Sequence, residues 1–148
     1  MKEFLLRRVA RFLAKPWVAD MIIRRAKRHP YLPIFYKDYT TLYMSRWWLF
    51  NAYDQKNRKR FSNWPSIRVH HIAKPDEGSK LHNHPWEART FILRGYYFES
   101  TEDSVHVRSA GDTAPIRHGD FHRISRVAPG GAWTLFITWE RRSQWGFK

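Results

Sequence analysis

From Ser66 to Glu140 the chain is written in short runs of β-forming residues, each closed by a turn signal. Ser66–Ile72 ends at Pro75-Asp76-Glu77-Gly78, Thr90–Leu93 at Gly95, Tyr96–Ser100 at Thr101–Ser104, and Val105–Arg108 at Gly111-Asp112. Asp120–Val127 and Ala132–Glu140 then flank Pro129-Gly130-Gly131, which reads as a hairpin turn. The strands follow one another at a regular spacing, with Gly- and Pro-bearing turns between them. They predict an antiparallel sandwich or barrel.

A chain of 148 residues, 43% of them hydrophobic, suffices for one packed core and is too short to suggest two. The absence of cysteine excludes disulfides, thiolate metal sites and cysteine nucleophiles. No apolar run has the length of a membrane span, and Arg7, Arg8 and Arg11 interrupt any secretory h-region, so a cytoplasmic protein is expected. The net charge of +14 is unevenly placed: residues 1–30 hold nine Lys or Arg against Glu3 and Asp20, a net +7. Such a surplus favours polyanions through counterion release.

Residues 1–30 read as a basic helical extension and residues 31–148 as the β domain with an aromatic-rich lead-in. Phe4, Leu5, Val9, Phe12 and Leu13 recur at helical spacing over 2–14, an apolar face expected to pack on the domain that follows. Pro16 either breaks this helix or opens a second one through Lys27. Arg7, Arg8, Arg11, Arg24 and Arg25 are the candidate contacts to an anionic membrane surface, nucleic acid or another polyanion. His29 to Pro65 reads as irregular, with 40–50 open to strand or helix and 51–64 a basic loop. Trp47 and Trp48 beside Arg46, Arg58 and Arg60 could stack bases, but Trp133 and Trp139 alternate with Leu135 and Ile137 as core residues do.

His82-Asn83-His84 stands between a turn and a strand. Residues two apart on an extended segment point to the same side, so both imidazoles can face one interior point. His122 follows several strands later, as a third ligand must if a barrel is to close a site that no local segment builds. Three neutral imidazoles leave coordination positions open, as catalytic metal sites do.

The chain resembles the cupin superfamily in the motif pair around these histidines. Its first motif runs Gly-x5-His-x-His-x3,4-Glu-x6-Gly, its second Gly-x5-Pro-x-Gly-x2-His-x3-Asn. His82, His84 and Gly95 fit the first, while Gly111, Gly119 and His122 fit the second with its spacing intact. It is similar, more closely, to uncharacterised cupin-like proteins of bacteria and tailed phages in Leu81-His82-x-His84-Pro85-Trp86, Ile92–Tyr96, His122-Arg123-Ile124, Trp133-Thr134-Leu135 and Trp145-Gly146-Phe147. The resemblance implies a mainly β, jelly-roll-like double-stranded β-helix barrel. It implies a divalent metal on His82, His84 and His122, with Fe(II) first and Zn, Mn or Ni as alternatives. Ala88 stands where the first motif has glutamate, so Glu87 becomes the candidate fourth ligand, reachable through a bulge. Arg117 and Arg126 replace the proline and asparagine of the second motif. A site of three histidines alone resembles the thiol dioxygenase branch, and cupins are often dimers.

Arg94, Tyr97 and Glu99, on strands flanking Gly95, are candidates to orient substrate or a ligand ring. His70 and His71 are neighbours, so only one can face inward, and His71 is taken as the site candidate; His106 and His118 read as surface residues. Three functions follow: a metal-dependent, oxygenase-like enzyme acting on an unknown small molecule; a non-catalytic module binding nucleic acid or another polyanion; and a metal-free epimerase- or isomerase-like barrel.

Overall fold

The computed structural model describes residues 1–54 and 58–141, which leaves Trp145-Gly146-Phe147 outside the described residues. Two helices, α1 (Lys2–Leu13) and α2 (Pro16–Ala26), precede nine strands. These are β1 (Pro30–Phe35), β2 (Leu42–Phe50), β3 (Ser66–Ile72), β4 (Trp86–Arg94), β5 (Tyr96–Ser100), β6 (Val105–Ser109), β7 (Thr113–Ile116), β8 (Arg123–Val127) and β9 (Ala132–Arg141). A six-stranded antiparallel sheet has the order β1-β2-β3-β9-β4-β7, and a three-stranded sheet the order β6-β5-β8.

The lead-in is more regular than its sequence suggests, because β1 and β2 extend the large sheet beyond β3. Pro30 and Pro33 hide β1, and Pro115 hides β7. Both strands lie at an edge of the sheet, where a residue without an N–H costs no ladder bond. Pro129-Gly130-Gly131 does not make a hairpin. It carries the chain from β8 in the small sheet to β9 in the large one.

Strand alternation divides the large sheet into two buried faces. Val69 and Ile67 of β3, Phe91 and Leu93 of β4, and Trp133, Leu135 and Ile137 of β9 pack with the helices. Trp139, the next residue in that series, is 50% exposed, so the core pattern stops at Ile137. On the other face, Arg68, His70, Ile72, Trp86, Thr90, Thr134 and Phe136 surround a cavity that the small sheet closes with Tyr97, Glu99 and Ile124.

The helices pack, but not on the face expected. Pro16 opens α2 in the first turn, where its missing N–H is harmless, and α2 buries Val18, Ala19, Ile23 and Ala26. In α1 the inward residues are Ala10, fully buried, with Leu6 and Leu13 beside it. Glu3 extends that line to the ion pair with buried Arg89 of β4, Nη2 to Oε1 2.6 Å. Small Ala10 allows close approach of helix to sheet. The cost is that Phe4, Leu5, Val9 and Phe12 are turned outward, 45–60% exposed.

Candidate metal centre

His82 and His122 are brought together by the backbone. Each donates its amide N–H to the other's carbonyl at 2.9 Å, an isolated antiparallel bridge between the segment before β4 and the segment before β8. His84, two residues on from His82, shares the cavity face with Trp86, as extended alternation requires. The donor nitrogens of His82, His84 and His122 all lie within 4.8 Å of one another. Nε2 of His84 and Nε2 of His122 are 2.9 Å apart. Two nitrogens bound at a right angle to one metal, each at about 2.1 Å, would lie about 3 Å apart. The donor set therefore fits a metal ion.

Carboxylates stand behind two of the rings. His122 donates its Nδ1–H to Glu99 Oε2 at 3.1 Å, which leaves Nε2 as the ring's acceptor. Glu99 Oε1 accepts from Arg108 Nη2 at 3.0 Å. Burial acts to raise the Glu99 carboxyl, but the bonds and charges of His122 and Arg108 outweigh it and hold the group at about 2. Asp76 Oδ2 lies 3.6 Å from His82 Nδ1, while Asp76 also accepts the Ile124 N–H at 2.8 Å and a short bond from the Tyr43 hydroxyl. Burial, then the neighbouring rings, lowers His84 well below its ordinary value; burial likewise lowers His82, against the opposing pull of Asp76. Both rings are accordingly neutral near pH 7, the form in which imidazole is a ligand.

The cavity has a volume of about 370 Å³. A second cavity of about 440 Å³ is lined by Glu99 and His122 together with His106 and Phe121, but only the first is lined by all three histidines. Tyr97 lines the first cavity and is buried, with burial and then Glu99 raising its phenol far above the ordinary value.

The other site candidates lie elsewhere. The bulge at Glu87–Ala88 exists, yet Glu87 Oε1 accepts the His118 N–H at 3.3 Å and the side chain does not line the cavity. Arg94 is ion-paired with Asp20 of α2 on the outside of the sheet. Of the histidine pair, His70 faces the cavity; His71 faces the helix side, its ring tilted against Trp133 at 4.5 Å and donating to the Gly130 carbonyl at 2.9 Å. Asp76, Arg108, Arg46 and Arg68 escape a reading of the sequence. Asp76 sits in a turn segment that any exposed turn could carry, and an arginine alternating with apolar residues looks like the solvent side of a strand. The parity that places Arg68 with His70 was the available signal.

No protein-family model matches the sequence, and no curated protein matches it. Solved structures do share its fold. A cupin-2 domain protein of Rhodospirillum rubrum superposes with a TM-score of 0.56 at 15% identity, over 78% of this chain and 72% of that one. DMSP lyase DddQ of Ruegeria pomeroyi gives 0.61 at 16% identity, over 88% of this chain and 66% of that one. Fe(II) HppE gives 0.55 at 13% identity; 73% of this chain is covered but only 55% of the HppE chain. At such identities the likeness establishes architecture and not activity. The fold is the cupin fold, with N-terminal helices packed on its large sheet.

Proposed function

We propose that this protein is a metal-dependent cupin enzyme in which His82, His84 and His122 hold a divalent ion and a small molecule reacts in the adjoining cavity. The observation that carries the reading is the convergence of three imidazoles, two of them joined by reciprocal backbone bonds and one backed by a buried carboxylate. A surface histidine pair would have neither the burial nor Glu99 behind it. Fe(II) is the first candidate, in keeping with the Fe(II) form of HppE among the structures of like fold; Zn, Mn and Ni suit three imidazoles as well. When bound, the ion supplies a Lewis-acidic centre with open coordination positions and, if iron, a redox centre for oxygenase-like chemistry.

The chain's own residues prepare that centre. Glu99 fixes the tautomer of His122 so that Nε2 is the donor, and Arg108 anchors Glu99. Asp76 occupies the Nδ1 side of His82. Ile72, Ile116, Ile124 and Phe136 give the cavity an apolar wall that limits water near the reacting end. Anaerobic titration with Co(II), followed by visible absorption, tests the assignment. One equivalent should bind wild-type protein and none should bind His84→Ala or His122→Ala with their folds retained; indifference of the spectrum to both substitutions would refute it.

A further inference from the structure

Two guanidinium groups, those of Arg68 and Arg46, line the cavity beside the histidines, and among the described residues neither is ion-paired. Arg68 is only 5% exposed, its guanidinium carbon 5.4–5.5 Å from the ring centres of Trp48, Trp86 and Phe136. Among the described residues no carboxylate pairs with it, and its buried Nε has no hydrogen-bond partner. Arg46, on the neighbouring strand, gives its Nε–H to the Leu32 carbonyl at 2.8 Å and likewise has no acidic partner there. Both acids of the cavity are committed, Asp76 to Tyr43 and the Ile124 amide, Glu99 to His122 and Arg108. Burying an arginine is unfavourable unless an anion and good hydrogen bonds compensate it.

A second orphan lies two residues along β3. His70 is buried, its ring stacked on Phe136 at 4.9 Å, and its Nε2 has no hydrogen-bond partner among the described residues. Arg68 and His70 thus line the same wall of the same cavity, and each carries a buried nitrogen, Arg68 Nε and His70 Nε2, without a hydrogen-bond partner among the described residues. We propose that the substrate is a small organic acid whose carboxylate is held by Arg68, with Arg46 and His70 beside it, and whose apolar body lies along the isoleucines toward the three histidines. The planar fork of arginine matches a carboxylate in two parallel bonds, and a volume of about 370 Å³ admits a small molecule and no polymer. This assignment rests on the cavity being the substrate site of the metal centre.

Calorimetric titration with acetate, butyrate and benzoate tests it, with benzamide as the neutral analogue and inorganic phosphate as the alternative anion. Wild-type protein, as purified, should bind at least one carboxylate saturably and leave benzamide free. Arg68→Met should weaken that binding at least about tenfold, since it removes one partner of a buried charge pair. Without ligand it should melt no lower than wild type, because an unpaired buried charge has gone. Should Arg68→Met not fold, Arg68→Lys carries the comparison: it keeps the charge, loses the fork, and should still bind more weakly than wild type. His82→Ala should lose metal yet keep carboxylate binding, which separates failure of the anion site from failure of the metal centre. Equal binding of benzoate and benzamide, equal binding by wild type and the Arg68 variant, a preference for phosphate, or no binding of any carboxylate would overturn the proposal.

A different observation carries a second inference. Phe4, Leu5, Val9 and Phe12 lie on the outward face of α1, and Trp17 and Met21 continue the patch onto α2, where Trp17 meets Phe12 edge-on at 6.1 Å. Trp17 is 63% exposed. Arg8 lies over Phe4 and Lys15 over Phe12, so the patch is rimmed and crossed by cations. A second copy would bring a +7 segment against another, which charge disfavours. Phosphates alone give exposed Phe and Met nothing to bury in. We infer that this face lies on an anionic lipid surface, with the aromatics at the acyl boundary and the arginines among the headgroups. Neither helix has the length and apolarity to cross a membrane.

Cosedimentation with phosphatidylcholine vesicles, with and without phosphatidylserine, decides the point. The 148-residue protein should pellet with the anionic vesicles only, less so at high salt, and the paired change Phe12→Ser and Trp17→Ser should release it while leaving the melting temperature unchanged. No pelleting at low salt would contradict the inference. So would retention on nucleic acid but not on vesicles, or a dimer that the same paired change dissolves.

Discussion

His122 receives three separate constraints: backbone bonds to His82, a ring nitrogen 2.9 Å from that of His84, and the Glu99 carboxylate on its far side. The Glu99 contact has a function beyond packing, because a carboxylate on Nδ1 both fixes the tautomer and strengthens Nε2 as a donor. Glu99→Gln keeps the shape and can still accept, but loses the charge. It should weaken metal binding by about 10- to 100-fold with the fold intact, as measured by competition with a chelating dye. Unchanged affinity would reduce Glu99 to a partner of Arg108. The residue scale also shows why Arg68 and Asp76 were not legible. Their roles depend on which face of a strand or turn becomes interior, and that is decided by partners distant in sequence.

Among the elements, the junctions are as constrained as the strands. Gly95 joins β4 to β5 with φ +77°, and a Cβ there would come within 2.4 Å of the Gly131 carbonyl oxygen. Gly131, at the entry to β9, has φ +84° and would place a Cβ 2.6 Å from the Ile72 carbonyl oxygen. The two glycines therefore let the strand ends cross where the chain passes between sheets. Gly95→Ala should destabilise the protein by at least about 1–3 kcal/mol from backbone strain alone, read by urea denaturation. Gly130→Ala, whose Cβ meets nothing within 4 Å, should cost less despite its own positive φ. Strands β3, β5 and β6 were legible because alternation and bounding turns agree. The edge strands β1 and β7 were not, since proline there mimics a loop, and the outward apolar face of α1 reverses what amphipathicity alone predicts.

The molecule as a whole is a large antiparallel sheet buried on both faces, helices on one and the cavity on the other, an arrangement more familiar in parallel sheets. The helices are consequently part of the core. Burial of Val18 and Ile23 alone contributes about 1.5–3 kcal/mol each. Removal of residues 1–27 should lower stability by more than about 3 kcal/mol and expose Phe91, Leu93 and Leu135, with soluble yield and thermal melting as readouts. A truncated protein that melts like the full chain would mean that the helices only rest on the sheet. The grouping of the His-x-His pair with His122 was legible because motif spacing survives at Gly95, Gly111 and Gly119; their surroundings required the closed fold, which brings Glu99, Arg68 and His70 to the same cavity. The most direct measurement is elemental analysis of untagged protein purified without chelator, beside His82→Ala. Near-stoichiometric divalent metal in the first and little in the second is the predicted result. No metal in either, even after anaerobic addition of Fe(II), would contradict the metal centre on which the functional reading stands.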